Sequence, residues 1–143
     1  MNNPHSSTRV MTRGASRAML AAIFVTGGLR TARHPDAEVA AARTVTAPLT
    51  RALPAIPPDQ TLVRLNAITM VSAGVALALG IVPRAAALVL AGTLLPTTLA
   101  GHRFWAEADP DTRTRERNAF LSNVGLAGGL LAVAASQANR ATS

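Results

Sequence analysis

Between Arg64 and Arg103 the chain carries a single charge, Arg84, and residues 118–137 carry none. A helix that shows one face to water places a charge on that face every turn or so. Stretches without one are suited to an environment that is apolar on all sides. There a helix is a natural solution, because it satisfies its own backbone hydrogen bonds. The chain therefore reads as an integral membrane protein of the all-α class.

Four segments follow from this pattern. Residues 62–82, 85–102 and 118–137 each give a helix long enough for a hydrocarbon core of about 30 Å at about 1.5 Å per residue. Pro83-Arg84 is the tight connection between the first two. Residues 17–29 are the weakest segment: an uncharged run of about 12 residues makes about 18 Å of helix. That segment spans only if Arg17 and Arg30 extend their guanidinium groups outward. Arg9, Arg13 and Arg17 ahead of it look like a signal peptide's charged region. No small-x-small cleavage site follows, so an uncleaved first helix is expected. The expectation is a four-transmembrane-helix bundle over residues 15–137. A polar, disordered tail (1–14) precedes it and a short tail (138–143) follows.

The stretch between the first two spans is more than a linker. His34-Pro35-Asp36 starts a helix, and Val39, Ala42, Val45 and Leu49 form an apolar face suited to the membrane surface. This predicts an amphipathic interfacial segment, after which Pro48, Pro54, Pro57 and Pro58 force an extended return. Residues 103–117 alternate acids with arginines and read as a solvated loop.

Counting crossings then places both chain ends and the Pro83-Arg84 turn on one side. Both long loops and all seven carboxylate side chains lie on the other. Nine of the fourteen arginines share the side with the acids and five stand unopposed opposite them. Raw counting favours the long-loop side as cytoplasmic, but the margin leaves orientation open. A net charge of +7 without a basic helix face or interleaved aromatics does not describe a nucleic-acid binder. Arginines flanking apolar segments suit membrane lipid instead. With no cysteine, thiolate chemistry and disulfides are excluded. His5, His34 and His102 cannot supply facing haem ligands within the bundle, and no cluster has metal-ligand spacing. No Asp, Glu or Lys lies inside a span, which argues against a carboxylate-based proton pump.

Several residues stand out. Asn118, Ser122, Gly125, Gly129, Ala132 and Ser136 form a strip of small or polar residues on the fourth span. Gly125 and Gly129 make a small-xxx-small pair for close helix packing. Ser72, Ala76 and Gly80 have the same spacing on the second. Packing within the chain is the first reading of both strips and homodimerisation the second. Pro96 removes the hydrogen bond to the Gly92 carbonyl, with the Thr93, Thr97 and Thr98 hydroxyls placed to compensate. His102, followed by Phe104-Trp105, is an interfacial anchor or a hydrogen-bond partner for a ligand carbonyl. Arg64, Asn66 and Asn123 share its side of the membrane, with Asn123 pointing away from the glycine strip.

The run Leu94-Leu95-Pro96-Thr97-Thr98-Leu99-Ala100-Gly101-His102-Arg103-Phe104-Trp105 resembles the DoxX family, most closely its actinobacterial type. So do Asp109-Pro110, Asn118-Ala119-Phe120-Leu121-Ser122-Asn123, Phe24-Val25-Thr26-Gly27-Gly28-Leu29, Val63-Arg64-Leu65-Asn66 and Gly80-Ile81-Val82-Pro83-Arg84. The likeness covers about residues 15–137. It implies a four-helix bundle in the bacterial inner membrane, in a quinol-oxidase or thiol-stress context, with no agreed catalytic residue to carry over. Two positions depart from the pattern: Ser122 stands where many relatives carry lysine, and Arg103 where many carry proline.

These observations lead to an expected role as a non-catalytic membrane subunit or anchor that recruits a soluble oxidoreductase. The alternative is a quinone-interacting oxidoreductase component using His102, Arg64, Asn66, Asn123 and Trp105. A small permease is the third reading. No cofactor is evident from the residues themselves, and quinone is the one the alternative implies.

Overall fold

The computed structural model describes residues 4–52 and 57–141. Among them the elements are α1 (Pro4–Arg33), α2 (Pro35–Ala52), α3 (Asp59–Leu79), α4 (Pro83–Gly101), a single 3₁₀ turn (Phe104–Ala106) and α5 (Pro110–Ala141), with no strand. α1, α3, α4 and α5 form an up-and-down bundle. Its core takes one fully buried large side chain from each of the four: Phe24, Leu77, Leu90 and Leu130. Ala21, Ala86, Ala87 and Ala134 fill the space between them. Small side chains let the helix axes come close, which is how helices associate where no hydrophobic effect separates helix from solvent.

The outside of the bundle is as apolar as its inside. Ile68 is 61% exposed and Leu95 66%, and Leu88, Leu99, Leu121, Val124 and Leu131 also face outward. Such a surface belongs in lipid rather than in water. Among the described residues three helical stretches are long and apolar enough to cross a membrane: Asp59–Leu79, Pro83–Ala106 and Pro110–Gln137. α1, expected as a fourth crossing, has the length at 30 residues. It lacks the apolarity, because Arg9, Arg13 and Arg17 occupy its first half and leave only residues 18–29 uncharged.

The tightest contact is between α1 and α3, which run antiparallel. A Cβ added at Gly28 would stand 2.8 Å from Val71 Cγ2 and 2.9 Å from the Ala67 carbonyl oxygen. One added at Gly74 would stand 2.9 Å from Val25 Cγ2. At the far end α3 closes in a left-handed Gly80 (φ 72°). The Gly80 and Ile81 amides donate to the Leu77 and Ala76 carbonyls, completing the C-terminal cap. Val82, just before Pro83, also has positive φ (38°), a conformation that is unfavourable for a β-branched residue. Three residues, Gly80, Ile81 and Val82, thus reverse the chain, and Pro83-Arg84, expected as the connection, instead open α4.

α2 covers the segment expected at the membrane surface. Asp36 Oδ1 accepts from Gln60 at 3.4 Å, while Arg43 Nε and Thr46 Oγ1 donate to Asp59 at 3.2 and 2.6 Å. Three turns of one helix held to the first turn of another require α2 to cross the end of α3 rather than lie alongside it. It also packs on α4. Val39 and Ala42 are half-buried, whereas the Val45 and Leu49 side chains lie outside the described ones.

Four expected boundaries are corrected. Helix begins at Pro4, within the segment expected as a disordered tail, and α5 continues past residue 137 to Ala141. α2 runs through Pro48 to Ala52, since Pro48 is exposed and the Thr44 carbonyl it leaves free sits on an exposed residue. Only Pro57-Pro58 of the described prolines keeps the extended return, with Pro58 at φ −54°, ψ 148°; Pro54 lies outside the described residues. The expected loop 103–117 contains the 3₁₀ turn and the start of α5.

The glycines make a paired prediction. Gly28→Ala places a methyl against backbone and a stiff valine, and is expected to destabilise the bundle by about 1–3 kcal/mol. Gly125→Ala, whose Cβ would meet nothing within 4 Å, is expected to leave stability unchanged or slightly raised. Thermal unfolding of both variants in one mild detergent provides the comparison.

Candidate functional site

Polar groups enter the bundle along the seam between α4 and α5. Pro96 disrupts the α4 ladder, and the neighbouring hydroxyls bond locally. Thr93 Oγ1 donates to the Leu90 carbonyl, and Thr97 Oγ1 to those of Thr93 and Leu94. None of these bonds reaches the Gly92 carbonyl, so the expected compensation goes to other acceptors. Thr98 is used differently. It is buried at 7% exposure, and its Oγ1 accepts a hydrogen bond from Asn123 Nδ2 across the seam at 3.1 Å.

One turn further on, α4 ends at His102, whose amide donates to the Thr98 carbonyl. The imidazole Nδ1 lies 2.9 Å from Glu116 Oε2 on α5, and both side chains are partly buried. With the carboxylate ionised, Nδ1 is the donor and Nε2 remains as the second ring position. Beyond it, Phe104, Trp105 and Phe120 stack edge-to-face with centroids 5.1, 5.5 and 6.2 Å apart. The loop is closed by Arg113, whose Nε and Nη2 both donate to the Glu107 carbonyl at 2.9 and 2.7 Å. Asp109 caps α5, accepting from the Thr112 amide at 2.8 Å and its hydroxyl at 2.6 Å. These bonds, the hydroxyl first, hold the Asp109 carboxyl below its usual range.

The structure brings together some of the expected residues and separates others. His102 and Asn123 share the seam, and each is already engaged by a protein partner. Trp105 sits at its mouth, about half exposed. Arg64 is exposed on α3 and makes no hydrogen bond or ion pair among the described residues. Asn66 turns its Nδ2 toward Met70 Sδ at 3.6 Å, so neither joins His102. Of the packing residues, Gly129 faces Leu20 of α1 and Gly80 lies under the Arg17 guanidinium, but Gly125 faces outward. Ser72 is exposed and bonds back to the Ile68 and Thr69 carbonyls. The glycines that make close approaches are Gly28 and Gly74 instead.

Glu116 was not singled out from sequence and Thr98 only as a hydroxyl near Pro96, although a signal for their pairing exists. Thr98 and His102 are four apart on α4, and Glu116 and Asn123 seven apart on α5, so each pair shares a helix face. Antiparallel pairing of those faces matches 98 with 123 and 102 with 116.

Two outcomes follow from this geometry. Asn123→Leu leaves the buried Thr98 hydroxyl without its partner and is expected to cost about 1 kcal/mol. Adding Thr98→Val recovers part of that loss, which unfolding of the two single variants and the double variant measures as a coupling. Asp109→Ala is expected to increase hydrogen exchange at residues 112–114 at neutral pH. Because the folded carboxyl titrates below the unfolded one, its contribution is present above about pH 4 and lost as pH falls through the folded value. The difference between wild type and variant therefore narrows in acid.

The family comparison agrees with this architecture. The DoxX family model matches residues 14–103, which takes in α1 to the end of α4 and His102. The seam's partners on α5 lie beyond the matched range. No curated protein and no solved structure gives a significant match. With its apolar helices, the chain is a membrane protein, and it belongs to the DoxX family.

Proposed function

We propose that this protein crosses the bacterial inner membrane four times and acts as a non-catalytic subunit or anchor. In this role it holds a soluble redox or stress-response protein at the end of the bundle that carries α2 and the α4–α5 loop. The observation that supports the reading is how firmly this end is built. α2 is tied across it by Asp59, Arg113 closes the loop on the Glu107 carbonyl, and Asp109 caps α5. Exposed Trp105, Arg103, Arg115 and Arg117 project from this frame. An ordered charged surface with an aromatic at its centre suits a protein partner. The fourth crossing is α1, whose Phe24 shares the core with the three apolar helices. The outward strip of Ser122, Gly125, Ala132 and Ser136 on α5 offers a close-packing surface for a second copy.

One observation favours a second reading, in which the protein contributes to quinone oxidoreduction. Glu116 orients the His102 imidazole through Nδ1, which leaves Nε2 to accept from a quinol hydroxyl or, with the ring protonated, to donate to a quinone carbonyl.

Purification in mild detergent, with mass spectrometry and optical spectroscopy of what co-purifies, separates the two. The anchor reading expects a soluble oxidoreductase, lost in Asp59→Ala because α2 is released, and no chromophore. A stoichiometric quinone, with a quinone-dependent thermal shift abolished by His102→Ala, would overturn it in favour of the second reading.

A further inference from the structure

The two ends of the bundle differ in how their charges are met. At the α2 end arginines lie among the acids, and two of the described ones are paired with them, Arg30–Glu38 and Arg43–Asp59. At the opposite end the topology collects Arg9, Arg13, Arg17, Arg84 and Arg140 with no Asp or Glu side chain among them. The Arg17 guanidinium lies against Gly80, where an added Cβ would stand 3.0 Å from Nη1. Its Nε is buried and has no hydrogen-bond partner among the described residues. Arg84 is exposed and makes no hydrogen bond or ion pair among the described residues. It borders a groove of about 470 Å³ lined by Val82, Pro83, Arg84, Ala85, Leu88 and Gln137.

This groove is cationic and polar at its rim, through Arg84 and Gln137, and apolar along its floor. Leu88 lies one helical turn deeper on α4 than Arg84, so the floor leads from the membrane interface toward the hydrocarbon. A soluble anion would use the rim alone. A diacyl phosphate uses both parts.

We propose that this end binds an anionic phospholipid. Arg84 meets the phosphate at the groove rim, Arg17 adds positive charge from beside the Gly80 turn, and an acyl chain lies along Val82, Ala85 and Leu88. The inference is independent of the anchor and quinone readings, which concern the other end of the bundle.

The test is native mass spectrometry of the full chain in detergent. The probe is an equimolar mixture of phosphatidylglycerol and phosphatidylcholine with identical acyl chains. Wild type is expected to retain phosphatidylglycerol preferentially, and Arg84→Gln to reduce that retention about fivefold. Arg115→Gln, at the acidic end, is expected to leave retention unchanged. Arg17→Gln is expected to act like Arg84→Gln; should it fail to fold, the exposed Arg84 still carries the comparison. Equal retention of the two lipids by wild type would overturn the proposal, as would equal losses in Arg84→Gln and Arg115→Gln. Displacement by glycerol 3-phosphate at the concentration of the lipid would do the same, since it would show a bare anion site without use of the groove.

Discussion

The near-contact of α1 with α3 is the constraint from which the rest of the bundle follows. Gly28 and Gly74 leave no room for a methyl group between the two backbones. The tight approach places Phe24 beside Leu77 in the shared core, from which Leu90 and Leu130 complete the four-way contact. In lipid, a helix gains little by leaving an apolar solvent, so such van der Waals contact has to supply what water would otherwise drive. It also has to hold α1 in place, whose uncharged run, residues 18–29, is shorter than those of the other three bundle helices. The Arg17 side chain ends at the negative pole of α3, a favourable location for a cation.

Segregation of charge is the second organising fact. Acids and arginines meet at the α2 end and arginines stand alone at the other, so the molecule has two chemically distinct poles separated by an apolar belt. Exposed ion pairs such as Arg30–Glu38 add little stability; their effect is to hold elements in position. Asp59 is the clearest case, since one carboxylate receives both Arg43 and Thr46 and thereby fixes the angle of α2. At the α4–α5 seam polar side chains pair between helices: Thr98 and Asn123 satisfy each other and His102 leans on Glu116.

How far the site could be read from sequence varies residue by residue. His102 and Asn123 were recognisable as polar groups near the end of apolar spans, and Asn123 was expected away from the glycine strip. The spacing that pairs them with Thr98 and Glu116 shows only once both helices are drawn, and Glu116 sits in a stretch that reads as loop until Asp109 is seen to cap it. Arg64 and Asn66 were grouped with His102 because topology puts them on the same side, and a side of a membrane is a much weaker constraint than a shared helix face. Gly125 drew attention through its spacing from Gly129, yet spacing describes only one helix; the partner surface decides which glycine is used, and it lies at Gly28 and Gly74.

The amino-acid pattern by itself determined the helical class, the apolar stretches and the tight reversal just ahead of Pro83. All of these depend on local hydropathy and backbone sterics along the chain. Only the tertiary structure decided which helices touch, that α2 crosses the end of α3, and which polar groups pair. Such contacts join residues far apart in sequence, and their geometry depends on how closely two whole helices approach.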